Sequence, residues 1–445
     1  MSNINNENAI ACPQKTLIIN YRALKIGGIE TYLAKLIEYS TKNEYRVIWL
    51  TTPNQYEDTH FKSIVDHPLV EKVYVKGGGQ GWLPHKKIKF QPDEQVTMIS
   101  MEPINFMKAE KIRKYAKNVK SFYHFLALPH FTGAAYYPER TFKSKSARKH
   151  WQSFMKKYAQ RLLEEDCIRA YSMKHLDFYE KAYGIEIENK QEKILKKINH
   201  IEDYPNEFFE EKARKRKESF EIVTCARFDF PHKGFLLGLV DDYGALKEKY
   251  PQLKLTIIGY GDGEVRLKEK ISALSQEAQG DITLLGRVSP FDLRQHFERG
   301  QLNVGLAGAL FDGAICALPS LCVRHYCEEC QTYGFIHEIE GTYLRDDPAM
   351  ELKPFVEKLI SMSDDEYIEL TKKDFARARE LKTNQPSYIF EQKNKSSRST
   401  LKGMGLKARI FNFLRALNSK LYKVPGCEQD ETENSPKKEG GPAVE

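Results

Sequence analysis

Two cations lie six positions apart where an apolar run gives way to a predicted helix. The stretch ARFDFPHKGF, residues 226–235, contains Arg227 and Lys233. Arginine can bind a phosphate through two hydrogen bonds, and lysine adds a point charge. The helix that follows offers unpaired N–H groups, which also attract anions. These residues indicate a phosphate-binding loop, and a solvated loop is the alternative.

Two further loops place small residues where a predicted strand meets a helix. KIGGIE contains Gly27 and Gly28, and glycine allows the backbone to approach a ligand closely. The other loop, GLAGALFDGA, offers small backbone positions followed by an acid: Gly308, Ala309, Leu310 and Asp312. For both loops the alternative is an ordinary tight turn.

The elements that position these loops alternate between strand and helix. Apolar runs such as TLIINY, YRVIWLTT and QVTMISM are separated by helical stretches such as GGIETYLAKLIEYS. Such alternation is typical of a parallel sheet covered by helices on both faces. It restarts after EEKARKRKESF, so the sequence predicts an α/β protein with two doubly wound Rossmann-like domains.

The predicted boundaries follow from changes in composition. They are a disordered head of 1–14, a first domain of 15–209, a charged linker of 210–219, a second domain of 220–385, a tail of 386–423 and a disordered end of 424–445.

Charge and cysteine content limit the classes of function. The 445 residues include 69 Lys+Arg and 61 Asp+Glu, a net charge of +8, which permits anionic ligands without calling for nucleic acid. The polar start and the lack of a run of ~18 apolar residues predict a cytoplasmic protein without a signal peptide or transmembrane helix. The eight cysteines suggest reduced thiols, although Cys316, Cys322, Cys327 and Cys330 leave a zinc site open.

Taken in order, the loops resemble the GT-B glycosyltransferases of family 4. GGIETYLAKLI resembles the first-helix motif of that family, and ARFDFPHKGFLLGLV resembles its arginine-and-lysine loop. YPQLKLTIIGYGDGEVRLKE resembles the next strand and G-x-G turn, which contains Gly259. The resemblance spans about Thr16 to Pro319. It is strongest to transferases that build bacterial capsule, lipopolysaccharide and other surface glycans, and it implies a cleft between an acceptor-side domain and a nucleotide-sugar-binding domain.

The resemblance implies a role for each matching residue. Arg227 and Lys233 would hold the donor diphosphate, approached by Gly28 from the first domain. Asp312 aligns with the glutamate that bonds the nucleotide ribose. Val304 stands eight residues earlier, where the family has another glutamate. The resemblance also implies a retaining reaction without metal or cofactor, and Val304 leaves the stereochemistry open.

The same family often has a histidine at the end of a strand in the first domain. SFYHFLALPHF offers His124 and His130, and His124 ends a predicted strand. His124 is therefore predicted to be catalytic together with Asp312, and a packed imidazole is the alternative.

A basic segment follows the predicted second domain. On a helical wheel, LKARIFNFLRALNSKLYK (residues 406–423) has apolar residues on one arc and cations beside it. An interfacial membrane helix has this pattern, so residues 401–423 are predicted to attach the protein to an anionic inner membrane face. The alternative is a helix that packs back on the core.

These observations predict transfer of a hexosyl group from a nucleotide-diphosphate sugar, with a UDP-sugar favoured. The acceptor would be a growing surface glycan or a lipid-linked acceptor. Two alternatives remain open: an enzyme like the sugar-nucleotide epimerases, which would need more acids, and a non-catalytic GT-B partner subunit, which Val304 favours.

Overall fold

The computed structural model describes residues 15–21, 27–51, 61–75, 87–101, 103–119, 121–128, 144–339 and 348–391. These residues form two compact units. The first consists of the described residues up to Ile198 together with 385–391, and the second spans Asn199–Asn384.

The first unit contains seven strands, of which six form a parallel sheet, together with helices. Its strands are β1 (Lys15–Asn20), β2 (Arg46–Thr51), β3 (Val70–Tyr74), β4 (Gln95–Ser100), β5 (Ser121–Leu128), β6 (Ile168–Ala170) and β7 (Lys197–Ile198). Its helices are α1 (Gly28–Lys42), α2 (Lys62–Val65), α3 (Pro103–Ala109), α4 (Lys145–Glu164) and α5 (Met173–Tyr183), with 3-10 turns at Glu110–Lys114 and Lys190–Lys193. The sheet order is β3-β2-β1-β4-β5-β6, and all five pairings are parallel. Five of six residues are buried in each of β1, β2 and β4, as expected for strands covered on both faces.

The second unit repeats this topology and adds antiparallel strands at one edge. Its strands are β8 (Phe220–Cys225), β9 (Leu253–Ile258), β10 (Ile282–Gly286), β11 (Leu302–Gly305), β12 (Ser320–Val323), β13 (Gln331–Phe335), β14 (Met350–Glu351) and β15 (Lys382–Thr383). Its helices are α6 (Asn206–Glu218), α7 (Phe235–Lys249), α8 (Glu264–Ser272), α9 (Gln276–Gly280), α10 (Leu293–Phe297), α11 (Gly308–Ala314), α12 (Lys353–Ser361) and α13 (Asp364–Leu381). The sheet order is β10-β9-β8-β11-β12-β13-β14, parallel from β10 to β12 and antiparallel from there on.

The order of strands places one switch point in each sheet. The chain runs outward from β1 through β2 to β3 and then returns to the other side of β1 with β4. It does the same from β8 through β9 and β10 to β11. In open α/β sheets, ligands bind at the carboxyl ends of the two strands that flank such a switch. The ends of β1, β4, β8 and β11 are therefore the places to look for a site.

The predicted linker of residues 210–219 is wrong, because most of it lies in α6. The buried face of this helix includes two of its five cations, Lys212 and Arg216, so the sequence lacks the apolar stripe that would identify the helix. Lys212 is 5% exposed and donates to the carbonyl of Gly300 at 2.8 Å. Arg216 is fully buried and bonds Asp364 at 2.9 Å. Their apolar stems pack inside the unit while the charged ends are satisfied, and the second unit thus begins well before residue 220.

The last described helix, α14 (Tyr388–Glu391), returns to the first unit. The ring of Phe390 stacks on Tyr39 at 6.3 Å and meets the edge of Tyr45 at 4.7 Å. The start of the predicted 386–423 tail therefore packs on the fold. The disordered ends predicted at 1–14 and 424–445 and the membrane segment 401–423 lie outside the described residues. Among those described, no helix is both long and apolar enough to cross a bilayer.

Candidate active site

The loop between β8 and α7 is fixed against the end of β9 by backbone hydrogen bonds. The N–H of Ala226 donates to the Ile258 carbonyl at 3.0 Å, and that of Phe228 donates to the Tyr260 carbonyl at 2.8 Å. The Phe228 side chain is buried beneath the loop. Because the backbone is hydrogen-bonded on both sides of Arg227, the position from which this exposed side chain projects is fixed.

Lys233 lies at the other end of the same loop. Its N–H donates to the Asp229 carbonyl at 2.7 Å, which closes the turn before α7. The structure therefore brings the two predicted cations, Arg227 and Lys233, to one loop at the carboxyl end of β8. Within residues 144–339, the Arg227 guanidinium makes no ion pair with an acid, so its charge is available to a ligand.

The pKa values of two imidazoles in this region are lowered, in part by the positive charges of the loop. The pKa of His232 is lowered to about 3, first by burial and then by Lys233, His325 and Arg227. The pKa of His325 is lowered by burial, by Lys233 and by Arg324. Burial disfavours a charge of either sign, but the contributions of Lys233 and Arg227 show that the loop has a positive potential, which favours an anion.

The connection between β12 and β13 supplies the second wall of this region. The Tyr326 N–H donates to the His232 carbonyl at 3.1 Å, and the two rings lie 4.8 Å apart. A β-carbon on Gly238 of α7 would collide with the backbone nitrogen of Cys330. Glycine is therefore required at this position so that the hairpin connection can pack directly on the helix.

The contact of the hairpin connection with His232 and the loop after β8 was not predicted from the sequence. RHY, residues 324–326, follows the apolar run PSLCV at the carboxyl end of a strand. Arg227 was singled out because it follows a predicted strand, and the same criterion applies to residues 324–326. They were overlooked because the antiparallel strand β13, which makes this segment a hairpin connection, was not recognised.

Gly259 has a structural explanation. A β-carbon there would collide with the carbonyl oxygen of Ala226, so the close crossing of two backbones requires glycine. The next residue, Tyr260, carries the guanidinium of Arg287 over its ring at 3.8 Å. The predicted contact of Gly259 with the donor stays a prediction.

The loop between β11 and α11 has free space around Gly308, and buried side chains hold the residues that follow. A β-carbon on Gly308 would meet nothing within 4 Å. The carbonyls of Ala309 and Leu310 accept hydrogen bonds from the Asn303 amide at 3.3 and 3.0 Å. The Leu310 side chain is fully buried in the core, so only backbone atoms of this residue remain for the predicted donor contact.

Asp312 is engaged in an ion pair. Its Oδ1 accepts from the Lys382 ammonium at 2.7 Å and from the Asn199 amide at 3.0 Å. Lys382 is 4% exposed, so the pair neutralises a buried cation. Val304 is fully buried in the core, which agrees with an apolar residue where the family has an acid. The predicted ribose and catalytic roles of Asp312 remain predictions.

Gly27 and Gly28 differ from Gly259 in their surroundings. A β-carbon on Gly28 would meet nothing within 4 Å, and one on Gly27 would meet only the flexible carboxylate of Glu30. Among the described neighbours, no backbone requires glycine at the start of α1. Close approach of a ligand remains the predicted reason for these two residues.

The reason for choosing His124 as catalytic is wrong, because β5 continues to Leu128. The run FLAL after the histidine is apolar and extends the strand. His124 is fully buried and lies in the middle of β5, and therefore not at the carboxyl end of the strand, where a ligand would bind. The alternative histidine, His130, lies outside the described residues.

His124 instead belongs to a buried hydrogen-bond network. Its Nδ1 lies 2.7 Å from Glu110 Oε1, and its Nε2 lies 2.7 Å from Ser100 Oγ. The ring stacks on Phe106 with centroids 3.7 Å apart. Burial lowers the imidazole pKa to about 4, so the ring is neutral near pH 7. A neutral ring bonded on both sides can orient its neighbours, and Ser100 is one of them.

The cysteines are free thiols in the described part of the chain. Cys316, Cys322 and Cys330 are buried, and burial raises the pKa of Cys316 to about 12. A metal-binding thiol must lose its proton, which this environment opposes. Within the described ranges, no cluster of three or more His, Cys, Asp or Glu side chains is arranged to hold a metal ion.

Comparison with known proteins identifies the fold. No family model and no curated protein match the sequence. Among solved structures, Anabaena HepE in complex with UDP and glucose is 16% identical, with a TM-score of 0.53, covering 85% of this chain and 97% of that one. HepE in complex with UDP is 14% identical, with a TM-score of 0.50 and the same coverage. A glycosyltransferase from Rickettsia africae is 13% identical, with a TM-score of 0.46, covering 86% of this chain and all of the other. At these identities the likeness shows the fold, and this chain has the GT-B fold of glycosyltransferases with two Rossmann-like domains.

Proposed function

We propose that this protein transfers a hexosyl group from a nucleotide-diphosphate sugar, with a UDP-sugar favoured, to a growing surface glycan or lipid-linked acceptor. The observation that carries the proposal is the positive loop after β8. It lies at the switch point of the second sheet, and Arg227 and Lys233 are its cations. The fold is that of glycosyltransferases, and the solved HepE complexes contain UDP.

The chemistry requires stabilisation of a departing diphosphate. The bond between the anomeric carbon and the phosphate oxygen breaks, and its electron pair stays on the diphosphate. A new bond forms to an acceptor hydroxyl, whose proton is released. Arg227 and Lys233 would stabilise the charge that develops on the diphosphate, in a manner that needs no metal ion. Retention of the anomeric configuration is part of the proposal by resemblance to family 4.

Attachment to an anionic membrane is a separate part of the proposal. It rests on the pattern of residues 401–423 and gains support from α4. The exposed side of α4 carries Lys145, Lys149, Lys156, Lys157 and Arg161, and the acid of this helix is its last residue, Glu164. Each such cation near an anionic surface contributes about 1 kcal/mol.

A second candidate function is a donor-binding subunit without catalysis. Two observations favour it. Val304 occupies the core where the family has an acid, and the carboxylate of Asp312 is already bonded to Lys382. Such a subunit would bind the nucleotide sugar and leave the chemistry to a partner.

One experiment tests the donor and a second separates the two functions. The full chain is heated in the presence of UDP-, GDP-, ADP- and CMP-sugars. A ligand at 100 times its dissociation constant should add about 2.7 kcal/mol, a shift of roughly 5–10 °C. Release of nucleotide from the stabilising sugar is then followed with and without a membrane extract as acceptor source.

We expect a shift with a UDP-sugar and nucleotide release that depends on the extract. The double variant Arg227→Ala/Lys233→Ala serves as the control and should show neither. A shift without any release would favour the donor-binding subunit, and no shift with any sugar would contradict both functions.

A further inference from the structure

An imidazole of the hairpin connection, residues 324–330, lies against the loop after β8. The ring centroids of His325 and His232 lie 6.2 Å apart, with the two planes nearly perpendicular. The Tyr326 ring lies 5.1 Å from His325 and 4.8 Å from His232. The positive charge of Lys233 acts on both imidazoles, so the three rings form one group beside this cation.

Three parallel strands bring this group to the switch point of the second sheet. β8 pairs with β11 and β11 pairs with β12, both in parallel, so their carboxyl ends lie side by side. Arg227 is the second residue after β8, and His325 is the second residue after β12. Because β8 and β11 flank the switch point, where open α/β sheets bind ligands, His325 borders the same region as Arg227.

A ligand can reach these side chains from solvent. Arg227 is exposed, and Lys233, His325 and Tyr326 are half-buried. The loops that follow β8, β11 and β12 all lie within residues 144–339, which the structure describes without a gap. An anion held by Arg227 and Lys233 would therefore lie close to the His325 ring.

The charges that act on His325 are positive. Its pKa is lowered first by burial, then by Lys233 from the loop after β8 and by Arg324 from its own segment. Protonation of His325 in the free protein would thus add a cation beside two others. A bound diphosphate would supply the opposite charge and raise the imidazole pKa.

The acids of the two segments have other neighbours. Asp229 Oδ2 lies 3.9 Å from His232 Nδ1, beyond hydrogen-bond distance. Glu328 accepts two hydrogen bonds from the Arg266 guanidinium, at 2.9 and 2.7 Å. Glu329 accepts from the side-chain amide of Gln331 at 2.8 Å. These carboxylates therefore leave the positive potential at His325 in place.

His325 is better suited than His232 to carry an added proton. Burial lowers the pKa of His232 to about 3, with further contributions from Lys233 and two other groups. A nearby opposite charge raises an imidazole pKa by ~1–3 units, which leaves His232 neutral at pH 7. The His232 side chain is also only 14% exposed. Fewer groups act against a charge on His325, so a diphosphate can bring it to the protonated form.

We propose that His325 is a further ligand of the donor diphosphate, neutral in the free protein and protonated in the complex. This inference rests on the proposed function and deepens it, because it adds a group from the end of β12 to Arg227 and Lys233. The proton comes from solvent and returns to it when the diphosphate leaves, so no other reactant is required. A protonated imidazole offers only donors, which suits phosphate oxygens.

The experiment measures whether a proton is taken up when the donor binds. UDP-glucose is the probe, because its diphosphate has no group that titrates near pH 7. The full chain is titrated calorimetrically between pH 5.5 and 8, in phosphate-free buffers that differ in their enthalpy of ionisation. His325→Gln keeps a polar side chain that cannot be protonated. His200→Gln is the matched control, because His200 is an exposed histidine of the second unit, 3.0 Å from Glu202.

We expect the wild type to take up protons on binding, and its affinity to rise roughly tenfold or more as the pH falls from 8 to 5.5. The sign follows from linkage. Each unit by which the diphosphate raises the imidazole pKa strengthens binding by a factor of about ten at low pH. His325→Gln should bind with nearly the same affinity across this range, and His200→Gln should behave as the wild type. If His325→Gln does not fold, His325→Asn carries the same comparison.

Proton NMR supplies a readout that a structural role of His325 would not change. The chain has 12 histidines, and the ring signal of His325 is the one missing from His325→Gln. The midpoint of its titration should move to higher pH when UDP-glucose is added.

UDP-glucose binding without proton uptake would overturn the inference, and so would a pH dependence that persists in His325→Gln. A His325 titration that UDP-glucose does not move would overturn it as well. Failure of the wild type to bind UDP-glucose at any pH would instead contradict the proposed donor, so the two failures are distinguishable.

Discussion

The switch points of the two sheets have the same topology but opposite chemistry. In the first, Asn20 and Ser100 are fully buried and joined to a neutral imidazole by hydrogen bonds. In the second, Arg227 is exposed and Lys233 is partly so, and the loop carries positive potential. The same arrangement of strands thus carries a buried hydrogen-bond network in one unit and a positively charged, partly exposed loop in the other. Variants at the first should act mainly on stability, and variants at the second mainly on donor binding.

The largest effect is expected from Glu110→Gln. The carboxylate bonds His124 at 2.7 Å and Arg113 at 3.0 Å, and the Arg113 side chain is 10% exposed. Removing one partner from a buried pair costs about 3–5 kcal/mol. Urea unfolding measures this loss. Glu38→Gln, which breaks the exposed pair with Lys42, is the control and should cost less than about 1 kcal/mol.

A small effect of Glu110→Gln on unfolding, together with weakened UDP binding, would break the comparison. It would mean that the buried network serves the donor rather than the fold.

The next effect is a dependence of stability on pH. The folded state keeps His124 neutral down to a pKa of about 4, whereas the unfolded chain takes up a proton below 6.5. The stabilisation is therefore complete above pH 6.5 and falls by roughly 3 kcal/mol as the pH drops to 4. The lowered pKa of Glu110 acts in the same direction below pH 4.5.

Thermal unfolding of the wild type and of His124→Gln between pH 7.5 and 4.5 tests this dependence. The variant should have the flatter profile over this range. Parallel profiles would show that His124 is not held neutral in the folded state.

At the second switch point, Arg227→Ala and Lys233→Ala should each weaken donor binding by about 1.5–3 kcal/mol, the value of a lost charged hydrogen bond. Titration with the stabilising nucleotide sugar measures this effect. Lys254→Ala is the matched control, because Lys254 is an exposed cation near the other end of β9. The unfolding temperature without ligand should hardly change. A large drop in that temperature for either variant would mean that the loop is held by its cations and not by its backbone.

The smallest effect is expected from Gly238→Ala, which tests what holds the second site in place. The added methyl group meets the backbone of Cys330, and overpacking of this kind costs about 1–3 kcal/mol. Gly280→Ala is the control, because a β-carbon there meets nothing within 4 Å. Urea unfolding of both variants gives the difference. Equal stability would show that the hairpin connection can move away from α7 without cost.

The sequence predicted those features that depend on neighbouring residues. The alternation of strands and helices predicted the two Rossmann-like domains, and Arg227 and Lys233 could be paired because they share one ten-residue stretch. The domain boundary was missed because α6 buries Lys212 and Arg216 where an apolar stripe was expected. The helix α13 and the antiparallel strand β13 were also missed.

Features that depend on distant contacts could not be predicted. The ion pair of Asp312 with Lys382 joins residues 70 positions apart, and the bond of Asn20 to Ser100 joins residues 80 apart. His124 shows the same limit. Its strand was recognised, but its burial depends on Glu110 and Phe106, which no local pattern connects to it.

Gly234, just before α7, and Gly238, within α7, have a consequence for redesign of the loop after β8. Gly234 and Gly238 lie one helical turn apart, and a β-carbon on either would meet the backbone of the hairpin connection at Cys327 or Cys330. The connection and the first turns of the helix are therefore complementary surfaces that have to change together. Grafting the connection of residues 324–330 from another protein with the GT-B fold would bring in side chains that do not fit the helix surface of this protein. A chimaera should exchange both segments as one cassette, since a bulkier loop or a missing glycine on either side would separate His325 from Lys233.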